Sequence, residues 1–295
     1  MIEANAQTLN TLGYQHLVNG MLDEALDAFQ LARSLAPHNA VILNNLGNAL
    51  FKLDRYHEAQ NAYEEAIQLS PDYLKPYSNL ALLYQLTGRS EEALATYRHY
   101  LTCVPEDGEA QHNFGLLCMN AGLKAEAAAA FASAANSLDP HDAESATKIG
   151  VSHFFRGDYA RAAEFFETAL TFDESYVQAR YHLGIALLHL GRCDESIAVL
   201  EMVVQAYPDY PQAKSGVGVA YNSAGQPSKA ILIFEELLEA QPRDPGHLLN
   251  LGYACHDAGL VERAIECFDQ VVSSENSTDH IRAKAQKALD ALQQD

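Results

Sequence analysis

Tryptophan is absent from this 295-residue chain, methionine occurs four times, and Lys and Arg number 19 against 39 Asp and Glu. The shortage of cations sets the first limit. The formal charge is −20, whereas binding a phosphate backbone takes clustered Lys and Arg. Nucleic acid is therefore excluded as a partner, and anionic membrane surfaces with it. The acidic balance permits a basic partner and equally permits plain solubility. No run of eighteen apolar residues occurs, so no membrane span is expected. The opening Met1-Ile2-Glu3-Ala4-Asn5 lacks the basic and apolar regions of a secretory signal. The five cysteines, Cys103, Cys118, Cys193, Cys255 and Cys267, are odd in number and form no CxxC pair. Reduced thiols in a cytoplasmic setting are expected, without a disulfide framework or zinc site.

Apolar residues make up 48% of the chain, enough for a folded core. The length alone suggests roughly two ordinary domains, but internal periodicity overrides that prior. Small residues recur at Gly13, Gly47, Ala81, Gly115, Gly150, Gly184, Gly218 and Gly252. The step is 34 residues throughout, except for 35 between Gly115 and Gly150. A second series follows at Ala25, Ala59, Ala93, Ala127, Ala162, Ser196, Ala230 and Ala264, and a third at Phe29, Tyr63, Tyr97, Phe131, Phe166, Leu200, Phe234 and Phe268. The last two series lie one helical turn apart, on one face of a second helix. A small residue in the first helix lets that second helix approach closely, and the large side chain fills the space between hairpins.

Punctuation agrees with this register. Gly20, Gly88, Gly122, Gly157, Gly191, Gly225 and Gly259 stand between the two helices, where a left-handed residue ends a helix, with Asp54 in the second copy. Pro37, Pro71, Pro105, Pro140, Pro208 and Pro242 follow second helices. Pro76, Pro211 and Pro245 fall in the first turn of first helices, and Pro227 opens a second helix. No proline interrupts a helix. The units run 6–39, 40–73, 74–107, 108–142, 143–176, 177–210, 211–244 and 245–278. The tail 279–295 places Ile281, Ala285, Leu289 and Leu292 at helical spacing, as a capping helix requires. No comparable cap precedes the first unit, so Leu9 and Leu12 are expected to be partly open there, a route to weak self-association or simply to fraying.

The segments "LNTLGYQH…EALDAFQLARSLAP" and "LNNLGNAL…EAQNAYEEAIQLSP" resemble the tetratricopeptide repeat family. The likeness covers about residues 6 to 278. It departs from the family pattern in the missing Trp, the extra residue of the fourth copy, and Glu174 and Asn276 in place of a final Pro. The resemblance implies an all-α, right-handed superhelical solenoid of eight helix–turn–helix repeats plus the C-terminal helix, one domain over 1–295. It implies a protein-binding scaffold or adaptor that holds a peptide or helix in a concave groove lined by first helices. A non-catalytic targeting subunit of an enzyme or assembly is the second reading, and a self-assembling structural protein the third.

Counting within each unit, the resemblance places the second, fifth, sixth, ninth and twelfth positions in that groove. The ninth positions are Tyr14, Asn48, Leu82, Leu116, Val151, Ile185, Val219 and Tyr253; the sixth include Asn45, Asn79, Asn113 and Asn250. Asn both donates and accepts, so it can pair with an extended peptide backbone whatever its sequence. In "NNLGNAL" the chain is similar to the repeat arm of the O-linked N-acetylglucosamine transferases, where such a ladder holds client peptides, although Lys148, His182 and Gly216 break it here. Solvation, or hydrogen bonding inside the array, is the alternative for these asparagines, and packing between first helices is the alternative for the apolar stripe. The family's carboxylate clamp is not expected: Asn48 and Asn79 suit its two Asn roles, but Asn44, Asn113 and Glu109 stand where cations belong.

No enzyme is expected. Neither GxSxG, HExxH, a P-loop nor a dinucleotide fingerprint stands in the required context. His182 and His189 lie about two helical turns apart, roughly 10.5 Å, too far for a shared metal, and no carboxylate or thiol cluster joins them. No cofactor or metal is expected.

Overall fold

The computed structural model describes residues 5–292. Among the described residues there are seventeen helices and no strand. They pair as hairpins: α1 (Ala6–Val18) with α2 (Leu22–Leu35), α3 (Ala40–Lys52) with α4 (Tyr56–Leu69), α5 (Lys75–Leu86) with α6 (Ser90–Cys103), and α7 (Gly108–Asn120) with α8 (Lys124–Ser137). Then follow α9 (Ala143–Phe155) with α10 (Tyr159–Phe172), α11 (Val177–His189) with α12 (Cys193–Ala206), α13 (Pro211–Ser223) with α14 (Pro227–Ala240), and α15 (Pro245–Asp257) with α16 (Val261–Ser273). Helix α17 (Asp279–Leu292) closes the described chain. Every hairpin lies inside one predicted unit. Pro76, Pro211, Pro227 and Pro245 all fall in the first turn of their helices.

The turn inside each hairpin is made by a single left-handed residue. Gly88 has φ 75°, and the other six predicted glycines match it closely. Asp54 takes the same conformation at φ 58°. A left-handed residue with a side chain costs roughly 1–2 kcal/mol. Asp54 offsets part of that locally, because its carboxylate accepts a 2.6 Å hydrogen bond from the Tyr56 hydroxyl.

Each hairpin closes on one contact. The large side chain of the second helix lies over the small residue eight residues into the first, a glycine in every hairpin but the third, which has Ala81. A Cβ placed on Gly47 would stand 2.5 Å from the Tyr63 ring, and one on Gly150 would stand 2.5 Å from Phe166. Gly13 meets Phe29 and Gly252 meets Phe268 in the same way. In the sixth hairpin the partner of Gly184 is Leu200. These rings are almost wholly buried, each burial contributing about 1.5–3 kcal/mol. The expected filling of space between hairpins is thus also, and first, a contact within one hairpin.

The chain divides into two compact units, residues 1–138 and 139–295. The boundary falls where the 34-residue step lengthens to 35. In the first unit, one core runs from Ala25 and Phe29 through Tyr63 and Tyr97 to Phe131. Its first helices touch in sequence, α1 on α3, α3 on α5 and α5 on α7, whereas the backbones of successive second helices stand farther apart and are bridged by ion pairs, Arg33–Glu65 at 2.7 Å and Arg98–Glu126 at 2.9 Å. The first helices are therefore the shared inner layer. The second unit repeats this arrangement from α9 to α15, and α17 packs on α15 and α16. Ala285 and Leu289 of α17 are buried and Ile281 and Leu292 partly so, which is the cap read from the tail, although 293–295 lie outside the described residues. At the other end Leu9 is buried, contrary to expectation, while Leu12 is 42% exposed among the polar Gln7, Thr8, Thr11 and Gln15. No helix among the described residues is long and apolar enough to cross a membrane.

Because Gly47 has no room for a methyl group, Gly47→Ala is expected to destabilise the chain by about 1–3 kcal/mol. A urea titration followed by circular dichroism reads this as a lower midpoint, and an unchanged midpoint would show that the hairpin contact is slack.

Candidate protein-binding site

The inner layer of the first unit carries the predicted asparagines, and they are tied to one another. Asn45 Nδ2 donates to Asn10 Oδ1 at 3.0 Å. One repeat later Asn79 Nδ2 donates to Asn44 Oδ1 at 2.9 Å. The same bond is thus made twice, from a sixth-position Asn to the fifth-position Asn of the preceding repeat. Asn79 Nδ2 also reaches Asn48 Oδ1 at 2.9 Å, and that oxygen accepts a 2.8 Å bond from the Tyr63 hydroxyl. Asn44 Nδ2 completes the chain through Asn45 Oδ1 at 3.4 Å. Farther along, the buried Tyr97 hydroxyl lies against Asn113 and donates to Gln85 Oε1 at 3.5 Å, and burial pushes both Tyr63 and Tyr97 well above the ordinary phenol range.

This pairing determines what is left for a ligand. Both N–H groups of Asn79 are engaged, so Asn79 has its carbonyl oxygen to offer. Both lone pairs of Asn48 Oδ1 are engaged, so Asn48 has its N–H donors to offer. A donor and an acceptor one repeat apart suit the carbonyl and N–H of an extended backbone. They border a cleft of about 220 Å³ lined by Leu17, Asn48, Phe51, Lys52, Tyr63, Asn79 and Leu82. The same helices α1 and α5 expose Tyr14 (56%), Val18 (68%) and Leu86 (59%). Leu17, Phe51 and Lys52 belong to this site, and the predicted set omits them. Their signal was the twelfth-position rule and the helix-end position after it.

The rest of the predicted stripe does not present one surface. Leu116 is partly buried against the core of the first unit, and Val219 against that of the second. Val151 is only 8% exposed and has almost no surface for a ligand. Ile185 leans on Gly216 of the next repeat, where a Cβ would stand 3.2 Å from its Cδ1. Tyr253 sets its ring edge-on to Phe268 at 5.3 Å and keeps part of its surface open. Asn250 is partly buried in α15.

One relation unites these differences. In three places the large side chain of a second helix reaches the sixth position of the next repeat, and the pair differs each time. Tyr97 sets its hydroxyl against Asn113. Phe166 meets His182 by stacking, with centroids 5.5 Å apart and planes 20° from parallel. Leu200 meets Gly216, at 3.2 Å from a Cβ built there. Three further histidines also pack on rings: His189 on Tyr159 at 4.4 Å, His153 on Phe165 at 5.4 Å and His112 on Phe131 at 6.0 Å. Among the described residues no cluster of three or more His, Cys, Asp or Glu could hold a metal ion.

Family models described as tetratricopeptide repeat match residues 5–72 and 38–106, 156–218 and 218–280. No curated protein matches the sequence. Among solved structures, that of Pseudomonas aeruginosa PilF is similar at a TM-score of 0.60 and 15% identity, covering 71% of this chain and 95% of its own. A chain in the Cut9–Hcn1 hetero-tetramer of the APC/C is similar at a TM-score of 0.62 and 14% identity, covering 92% of this chain and 52% of its own. At these identities the likeness concerns the fold.

Two outcomes follow from the site's geometry. Asn79→Ala removes two inter-residue bonds and is expected to cost about 1–3 kcal/mol, whereas Asn250→Ala, on the same register, is expected to cost less. Equal losses in chemical denaturation would mean that the amide ties contribute nothing. The second outcome concerns pH. Burial pushes the His182 imidazole down to about 4 from 6.5. Its folded value is depressed, so the unfolded chain binds the proton first as pH falls. The stability held by neutral His182 is present above pH 6.5 and is lost between 6.5 and about 4. His182→Asn is expected to flatten the pH dependence of the urea midpoint in that window, and an unchanged slope would contradict the burial.

Proposed function

The chain belongs to the tetratricopeptide repeat family, and from that premise we propose that it is a non-catalytic scaffold that holds an extended peptide segment of a partner protein on the first-helix layer of its first unit. The observation that carries this reading is the cleft between Leu17, Phe51 and Leu82, bordered by the remaining donors of Asn48 and the remaining acceptor of Asn79. A peptide laid there gains two backbone hydrogen bonds and buries one apolar side chain, about 1.5–3 kcal/mol for the latter. The asparagines are already held in place by Asn44 and Tyr63, so little ordering remains to oppose binding.

Held this way, the asparagines play a double part. They join repeats through one end of the amide and read the peptide through the other. A change to Ala at Asn45, Asn79 and Asn113 together therefore confounds binding with stability. Leu82 is the better probe, because it lines the cleft without belonging to the amide chain. Selection of peptides from a random displayed library, followed by fluorescence anisotropy, is expected to yield micromolar binders. Leu82→Asp is expected to weaken them at least about tenfold with the urea midpoint little changed; each tenfold step is 1.4 kcal/mol. Binders indifferent to Leu82→Asp would move the site elsewhere, and the second helices would then be the surface to test.

A further inference from the structure

The net charge of −20 conceals a segregation. Helices α1, α3 and α5 contain no Asp or Glu at all, and α3 and α5 carry Lys52 and Lys75. Their partners α2, α4 and α6 carry Asp23, Glu24, Asp27, Glu58, Glu64, Glu65, Glu91 and Glu92. Around the cleft, the acidity that suggests a basic partner thus lies on the second helices and the turns, not on the first helices α1, α3 and α5. The cleft is apolar and neutral apart from one cation, Lys52, which lies on its lining. Among the described residues no ion pair engages Lys52, whereas Arg33, Arg55, Arg89 and Arg98 are each held by a glutamate.

We infer that the cleft selects a peptide segment in which an apolar side chain stands next to one or more carboxylates, and that a basic segment is disfavoured there. The inference rests on the peptide-binding reading above and adds the partner's chemistry to it. The apolar side chain enters between Leu17, Phe51 and Leu82, the backbone spans Asn48 and Asn79, and a neighbouring Asp or Glu meets the Lys52 ammonium at the rim. Acidic second helices strengthen the selection from outside. An acidic segment is repelled from the outer surface and held only where the cation is, so it has one place to dock.

The test uses the full chain and arrays of synthetic nonapeptides with a central Leu, Met or Phe. The flanking residues are acidic (Asp/Glu), neutral (Ser/Asn) or basic (Lys/Arg). Hits are remeasured by fluorescence anisotropy at 0.05 and 0.5 M salt. Acid-flanked peptides are expected to bind about threefold to fivefold tighter than neutral ones, the range of an exposed ion pair, with the difference shrinking at high salt. Lys52→Gln is expected to erase the preference, and Lys52→Glu to invert it in favour of basic flanks. Lys52 is exposed at the end of α3, so both variants are expected to fold, checked by circular dichroism. A preference for basic flanks in the unaltered chain, or none, overturns this inference while leaving the peptide-binding reading intact. Absence of binding by every array peptide overturns both.

Discussion

A large side chain resting on a glycine, or in one hairpin on Ala81, holds each hairpin of this chain together. At Gly47 and Tyr63, or Gly150 and Phe166, the second helix comes so close to the first that a single methyl group would collide with the ring. In three hairpins the large side chain also reaches the sixth position of the next one, where Tyr97 meets Asn113, Phe166 meets His182 and Leu200 meets the bare backbone of Gly216. One side chain thus closes its own hairpin and sets the seat of its neighbour. Stability in such an array is a sum of units and nearest-neighbour interfaces, and this contact contributes to both.

The same constraint prepares the surface. Rings that carry a hydroxyl need a partner for it once buried, and Tyr63 finds one in Asn48. Asn48 then receives Asn79, which also ties back to Asn44. The ties of Asn48 to Tyr63 and Asn79 are therefore a consequence of having Tyr63 at the hairpin contact. Where the contact is Phe166, the neighbour is an imidazole kept neutral by burial, and the amide chain does not continue.

The hairpins, their turns and the capping helix were legible in the sequence because each rests on residue identity at a fixed place. Only Gly fits under Tyr63, only a left-handed residue ends α5 at Gly88, and proline is tolerated at Pro211 only in a first turn. The site was legible in part. The register placed Asn45, Asn79 and Leu82 on the inner layer, but an amide's partner depends on distances of a few tenths of an ångström, which no spacing rule carries. The burial of Val151 and the lean of Ile185 onto Gly216 depend on neighbours in other helices. Lys52 was hidden for another reason: a net charge sums over both helix layers, and only their separation reveals a neutral cleft with one cation.

The central claim is that partners meet the first-helix layer of the first unit. It is tested most directly by placing a photoreactive amino acid at Leu82, and separately at the exposed Leu31 of α2, and irradiating each with an array-selected peptide. The account predicts a crosslink from position 82 and none from position 31. A crosslink from position 31 alone would place the partner on the acidic second helices and contradict it.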